Sequence, residues 1–158
     1  MILVAPGDRG THVALYPLSF DEAATAGCAD RLTRRTSAIV DLSQRPLTRG
    51  EAIAKAKAGK SYVVLISLIE DRMRSSNSGD IELEVDYVLF EPGTAKVKAS
   101  GRTYEYSQRK GPLVVGPRGP GVNLPRYREQ MLRRAGEDAA DKILKALHLD
   151  RLPTPTGK

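Results

Sequence analysis

The segment Tyr62-Val63-Val64-Leu65-Ile66-Ser67-Leu68-Ile69 constrains the fold of this chain more than any other. Its apolar residues run on without alternating, and it contains neither Gly nor Pro. A strand that is apolar on both faces must be covered on both, so the segment predicts a strand central to a sheet with helices packed against it. The next apolar stretch alternates instead. Ile81, Leu83, Val85, Tyr87 and Leu89 fall on one face, and Glu82, Glu84 and Asp86 on the other. That pattern predicts a strand with one dry and one wet face. Glu91-Pro92-Gly93-Thr94 reads as a turn and Ala95 to Ser107 as the returning strand. A loop confined to Pro92, Gly93 and Thr94 pairs odd residues with odd, keeps Val97, Ala99 and Gly101 on the apolar face, and sets Glu84 opposite Arg102.

Helical signals surround this meander. Thr48 followed by Glu51 is a capping box, and the helix it opens stops at Gly59. Asp21 is positioned to cap an earlier helix that ends in Arg34-Arg35, with Gly27 as a local weakness costing about 1 kcal/mol against Ala. His12-Val13-Ala14-Leu15-Tyr16, closed by Pro17, reads as the first strand, and Ser37 to Leu42 as the second. Beyond a polar loop over residues 70–80 and a Gly/Pro-rich region from Gln108 to Pro125, Asn123 caps a long amphipathic helix. Leu124, Tyr127, Met131, Ala135, Ala139, Ile143 and Leu147 recur along one face of it. The expected fold class is therefore α/β (α+β): a single mixed β-sheet of about five strands in the order βαβαβββα, with helices packed against it. Residues 1–11 read as an N-terminal extension, 12–149 as one domain carrying a basic insert at 108–123, and 150–158 as a flexible tail.

Composition narrows the functional classes. At 41% hydrophobic and 28% charged, the chain resembles ordinary globular domains and not disordered ones. The lone Cys28 excludes an internal disulfide, and with only His12 and His148 beside it there is no metal-ligand spacing. No apolar run reaches the roughly 18 residues a membrane span requires. The opening Met1 to Ala5 is too short for a signal-peptide core, which implies either a cytoplasmic protein or a leader already removed. The net charge of +6 is regional. Nine basic residues lie between Lys98 and Arg134 against Glu105 and Glu129, a local balance of +7 that leaves −1 for the rest.

No motif announces catalysis. A Gly-x-Ser-x-Gly elbow is absent, and Gly116-Pro117-Arg118-Gly119-Pro120-Gly121 lacks the Gly-Lys-Ser/Thr ending of a phosphate loop. Glu82, Glu84 and Asp86 read as a solvated charge ladder against Lys96, Lys98 and Arg102, and Cys28 as a small core residue. No catalytic, cofactor-binding or metal-binding residue is assigned, and no enzyme is expected. The candidate partner-binding residues are Arg109, Lys110, Arg118, Arg126, Arg128, Arg133 and Arg134, with Tyr104, Tyr106 and Tyr127 interleaved.

The chain also resembles a group of bacterial envelope domains: the TolB amino-terminal domain and its CsgG-like and penicillin-binding-protein-activator (LpoB-like) relatives. The resemblance is carried by the Val13-Ala14-Leu15-Tyr16-Pro17-Leu18 run and by Glu51 to Ala56 leading through Gly59 to the Tyr62-Val63-Val64 strand. The Gly93-Thr94 hairpin turn and the paired Ala139-Ala140 of the last helix add to it. It spans roughly residues 12 to 148 as a pattern of elements. It implies a periplasmic or envelope-associated, non-catalytic interaction or assembly domain with a protein partner, and homo-oligomer formation as a further expectation. The alternatives are a polyanion-binding module (nucleic acid or anionic lipid) using the basic insert, and an enzyme whose site no motif marks.

Overall fold

A computed structural model describes residues 1–10, 13–71, 82–104 and 124–149. Its elements are β1 (Ile2–Pro6), α1 (Leu18–Arg35), β2 (Val40–Leu42), α2 (Arg49–Ala58), β3 (Tyr62–Asp71), β4 (Glu82–Phe90), β5 (Val97–Tyr104) and α3 (Leu124–Ala146). The strands form one mixed sheet in the order β2-β1-β3-β4-β5. β1 runs parallel to both β2 and β3, and β3, β4 and β5 follow antiparallel. The expected fold class and element order hold, and β3 is the central strand.

Its continuous apolar character has a direct cause. Val64, Ile66 and Leu68 enter the larger core beneath α1 and α3, together with Ile2, Val4, Leu32, Leu83, Val85, Leu89, Leu132 and Ile143. Val63 and Leu65 enter a second core beneath α2, with Ala5, Leu47, Ala52, Ala56, Val88 and Phe90. The sheet is thus covered by two helices on one face and one on the other.

The first strand is a correction. Residues 13–16 form a turn, in which Val13 N–H donates to Gly10 O and Tyr16 N–H to Val13 O. The strand is Ile2–Pro6, so residues 1–11 are not an extension: their apolar run is hydrogen-bonded between β2 and β3. Both runs satisfy strand propensity, but a strand is decided by its ladder partners, and only the first finds them. Asp21 is also not the cap of α1. The helix starts a turn earlier, after Pro17, which caps with no side chain, and Asp21 lies in its first turn. The capping box of α2 forms as expected: Glu51 N–H donates to Thr48 Oγ1 and Thr48 N–H donates to Glu51 Oε2. Arg45 and those cap bonds pull the Glu51 carboxyl down to about 2.

The hairpin keeps the expected parity from Ala99 onward, loses it at Val97, which pairs with Phe90 and is exposed, and misses the register by two. Val85 pairs with Thr103, Tyr87 with Gly101 and Leu89 with Ala99, so Asp86, not Glu84, sits opposite Arg102. The turn is longer than a three-residue loop. Glu91 N–H donates to Lys96 O, Gly93 (φ +77°) and Ala95 (φ +53°) take left-handed conformations, and the ladder shifts at Leu89/Phe90. Arg102 still reaches Glu84 diagonally, at 3.2 Å, and lies 3.7 Å from Asp86. The face these acids share is not the wet one expected. Glu84 is 5% exposed, Val88 and Phe90 belong to the second core, and burial raises the Asp86 carboxyl against the opposing pull of Arg102 and Arg49. The polar ladder is a part-buried ion-pair cluster.

Helices α1 and α3 approach each other unusually closely. A Cβ on Gly136 would overlap Ala24 O and stand 2.9 Å from Ala24 C and 3.1 Å from Cys28 N. Reciprocally, a Cβ on Gly27 would overlap Arg133 O and stand 2.9 Å from Arg133 C. The crossing is flanked by ion pairs: Arg31 binds Asp141 through two bonds of 2.8 and 2.9 Å, Arg34 reaches Glu137 at 3.0 Å, and Arg133 pairs with Asp30. Cys28 lies inside this crossing at 0% exposure, and burial pushes its thiol up to about 12. Native protein should therefore fail to react with an aromatic disulfide at pH 8 while urea-unfolded protein reacts at once. Equal rates in the two states would contradict the packing.

Candidate functional site

The loop from β1 to α1 is organised by one arginine. Arg9 Nε–H donates to Asp21 Oδ2 at 2.7 Å, Nη1–H to Tyr16 O at 2.7 Å and Nη2–H to Pro17 O at 2.8 Å, and Nη2 also reaches the Asp21 carboxylate. Asp21 is only 8% exposed, so the guanidinium both neutralises a buried carboxylate and fixes the turn that precedes α1. Val13 and Phe20, at the two ends of this turn, are buried, whereas Ala14, Leu15, Pro17 and Leu18 are exposed. Leu15 is 94% exposed and Leu18 65%. Scattered surface leucines are ordinary, but a rigidly held run of apolar residues is not.

The start of α3 lies against this turn. The Arg128 guanidinium sits 5.5 Å from the Tyr16 ring centroid and 5.6 Å from that of Phe20. One turn further along, an open cleft of about 360 Å³ runs between the helices, lined among the described residues by Ala23, Arg126, Glu129, Gln130 and Arg133. Arg126 and Gln130 are exposed. Two guanidinium groups, an amide and one carboxylate therefore line the cleft, and the Arg133 guanidinium also pairs with Asp30.

The structure brings only part of the expected basic site together. Arg126 and Arg133 line the cleft, and Arg128 stacks beside it. Arg133 is already paired with Asp30, so it serves the helix crossing as well as the cleft. Arg134 is exposed but, eight residues beyond Arg126, is rotated about 80° around α3 and away from that line. Arg109, Lys110 and Arg118 lie outside the described residues, as do Tyr106 and the Asn123 cap. Tyr104 ends β5 and is 37% exposed, and Tyr127 stands half-buried between Arg126 and Arg128 on α3, while the rings beneath Arg128 are Tyr16 and Phe20. Sequence reasoning missed Arg9 and the Leu15 turn. No local signal marked either, since Arg9 acts through Asp21, a partner 12 residues on.

Two other locations were candidates on topology and chemistry. The strand order reverses between β1 and β3, the usual crevice for a ligand in an open α/β sheet. Here the segment after β1 is laced shut: Gly7 N–H donates to Ile66 O at 2.6 Å, and Asp8 N–H donates to Leu47 O at 3.0 Å. The Glu84–Arg102–Asp86 cluster is likewise satisfied internally. Among the described residues, no group of three or more His, Cys, Asp or Glu side chains is placed to hold a metal ion, and no helix is long and apolar enough to cross a membrane.

No family model matches this chain, and no curated protein does. It is similar to solved structures of the PelC dodecamer from Paraburkholderia phytofirmans and of a single-substitution variant of it. In both comparisons the identity is 17%, 92% of this chain is covered and the TM-score is 0.44, with 84% and 85% of the respective PelC chains covered. A likeness of that size carries no argument about what this chain does.

Proposed function

We propose that this chain is a non-catalytic interaction domain of the bacterial cell envelope that docks an acidic partner protein through the end of the α1–α3 pair. The observation that carries the reading is the cleft beside the start of α3, where Arg126, Arg133 and Gln130 line one opening and Arg128 stacks on Tyr16 of the exposed Leu15 turn. Arginine forks and an amide suit carboxylates, and a rigid apolar turn alongside suits a partner that is not acidic alone. The envelope assignment is supported by the resemblance of the α2–β3 and hairpin patterns to the TolB amino-terminal group, the Val13–Leu18 part of that resemblance being a turn and not a strand. A nucleic-acid partner would meet the same arginines, but among the described residues no aromatic side chain lines the cleft, and Tyr16 and Phe20 lie beneath Arg128.

The test reverses charge at the two exposed residues of the cleft and spares Arg133. Arg126 and Gln130 are both exposed, whereas Arg133→Glu would bring a carboxylate against Asp30 and damage the helix crossing. Arg126→Glu/Gln130→Glu should keep the wild-type melting temperature while weakening binding to heparin, a generic acidic ligand, by at least about tenfold at low salt. Wild-type retention by the double variant would remove the cleft from the account.

A further inference from the structure

We infer that the Ala14–Leu18 turn is a membrane-contacting knuckle that inserts into the interface of a bilayer containing anionic lipid. The inference uses the reading of this end of the molecule as its docking end, but rests on the Ala14–Leu18 turn, with Arg126 the one residue it shares with the cleft. Its first support is exposure: Ala14, Leu15, Pro17 and Leu18 all face solvent, and Leu15 retains 94% of its accessible surface. Such a side chain stands on a projection, not in a hollow. A bilayer interface accepts a convex apolar projection without needing a matching pocket.

The second support is that the projection is held in place. Three guanidinium nitrogens of Arg9 tie the Tyr16 and Pro17 carbonyls to the Asp21 carboxylate, and the turn bonds Val13 N–H to Gly10 O and Tyr16 N–H to Val13 O. A disordered apolar loop could fold its leucines away from water; this one is fixed with them outward. The cost of ordering the loop is therefore met within the folded domain, before any ligand arrives.

The third support is the sequence of chemistries back from the tip. The leucines are the most exposed of these side chains. Tyr16 follows, half-buried, with the Arg128 guanidinium over its ring, and exposed Arg126 lies on the neighbouring helix. Apolar tip, aromatic collar and arginine are the order in which acyl chains, interface and anionic headgroups are met by an inserting segment. Glu22, exposed and four residues after Leu18 on α1, limits the depth, because its carboxylate cannot follow the leucines below the headgroups. Insertion is thus shallow and confined to the turn.

The chain has no Trp, so a single introduced indole reports its own surroundings. The experiment uses the full chain with vesicles of phosphatidylglycerol and phosphatidylcholine, and with phosphatidylcholine alone. Leu15→Trp emission should shift to the blue on the anionic vesicles, and Glu22→Trp emission should not. Leu15→Ser/Leu18→Ser should lower co-sedimentation with those vesicles at least about tenfold, since burying each leucine is worth that much or more. Because both side chains are exposed, the double variant should melt as the wild type does and should keep its heparin retention. The inference is overturned if the wild type does not sediment with anionic vesicles, if the double serine variant sediments equally well, or if the only effect of the variant is on self-association. Failure of the cleft reading would look different: heparin retention insensitive to Arg126→Glu/Gln130→Glu, with vesicle binding intact.

Discussion

Gly136→Val should cost about 3 kcal/mol or more of folding stability, enough to unfold an ordinary domain of this size in part or whole. The reason is the kind of atom in the way. The Cβ at position 136 would meet Ala24 O and C and Cys28 N, all backbone, and none of these can rotate aside. Relief requires α1 and α3 to separate, which strips contacts from Leu32, Leu132, Ala135 and Ala139 in the main core and pulls apart the Arg31–Asp141 pair. Gly27→Val should behave alike, because its Cβ meets Arg133 backbone. Gly50→Ala is the control: it sits in α2 with its nearest neighbour, Thr48 Oγ1, 3.9 Å away, and should change stability by no more than about 0.5 kcal/mol, in the stabilising direction. Urea titrations followed by circular dichroism decide the matter. Equal midpoints for Gly136→Val and wild type would show that the helices do not pack backbone to backbone.

Arg9→Met should cost about 3 kcal/mol, far more than loss of an exposed ion pair. It removes the cation from Asp21, whose side chain is 10% exposed, and the donors from the Tyr16 and Pro17 carbonyls. The Arg34–Glu137 pair provides the comparison: its arginine is 61% exposed, and Arg34→Met should cost less than about 1 kcal/mol. Combining Arg9→Met with Asp21→Leu should recover part of the loss, because the unpaired buried carboxylate is then gone. The same substitution should loosen the Leu15 turn, so vesicle binding should fall even at temperatures where α1 remains folded. Similar costs for Arg9→Met and Arg34→Met in thermal denaturation would refute the staple.

The parts of this fold that were legible in the sequence are those fixed by nearby residues. Thr48 and Glu51 are three positions apart, and their reciprocal cap forms as written. β3 advertises double burial through its own unbroken aliphatic run, and it lies at the sheet centre between β1 and β4. The parity of the hairpin follows from the alternation of β4, although its register does not, since that depends on how many residues the turn consumes. What escaped depends on distant partners. Ile2–Pro6 and His12–Tyr16 are two similar apolar runs, and only pairing with Val40–Leu42 and Tyr62–Ile66 selects the first as the strand. Gly27 reads locally as a helix weakness, whereas its value lies in the Arg133 backbone across the crossing, more than a hundred residues on.

The candidate site was legible as charge and not as geometry. The bias of arginines toward the start of α3 is plain in the sequence, but charge counting cannot separate Arg126, which lines the cleft, from Arg133, which also holds Asp30, or from Arg134 on another flank. The Leu15 turn was concealed for a related reason. An apolar run next to a Pro looks like a buried strand until another strand is seen to occupy its place in the sheet.

The most direct test of the docking end is to map where an acidic ligand touches the protein. Amide chemical shifts of the wild-type chain, followed while a short heparin oligosaccharide is added at low and then moderate salt, give that map residue by residue. The account predicts that the perturbed amides cluster over residues 13–23 and 126–133 and that salt reverses the shifts. Perturbations centred on α2 or β5, or none at all, would contradict it.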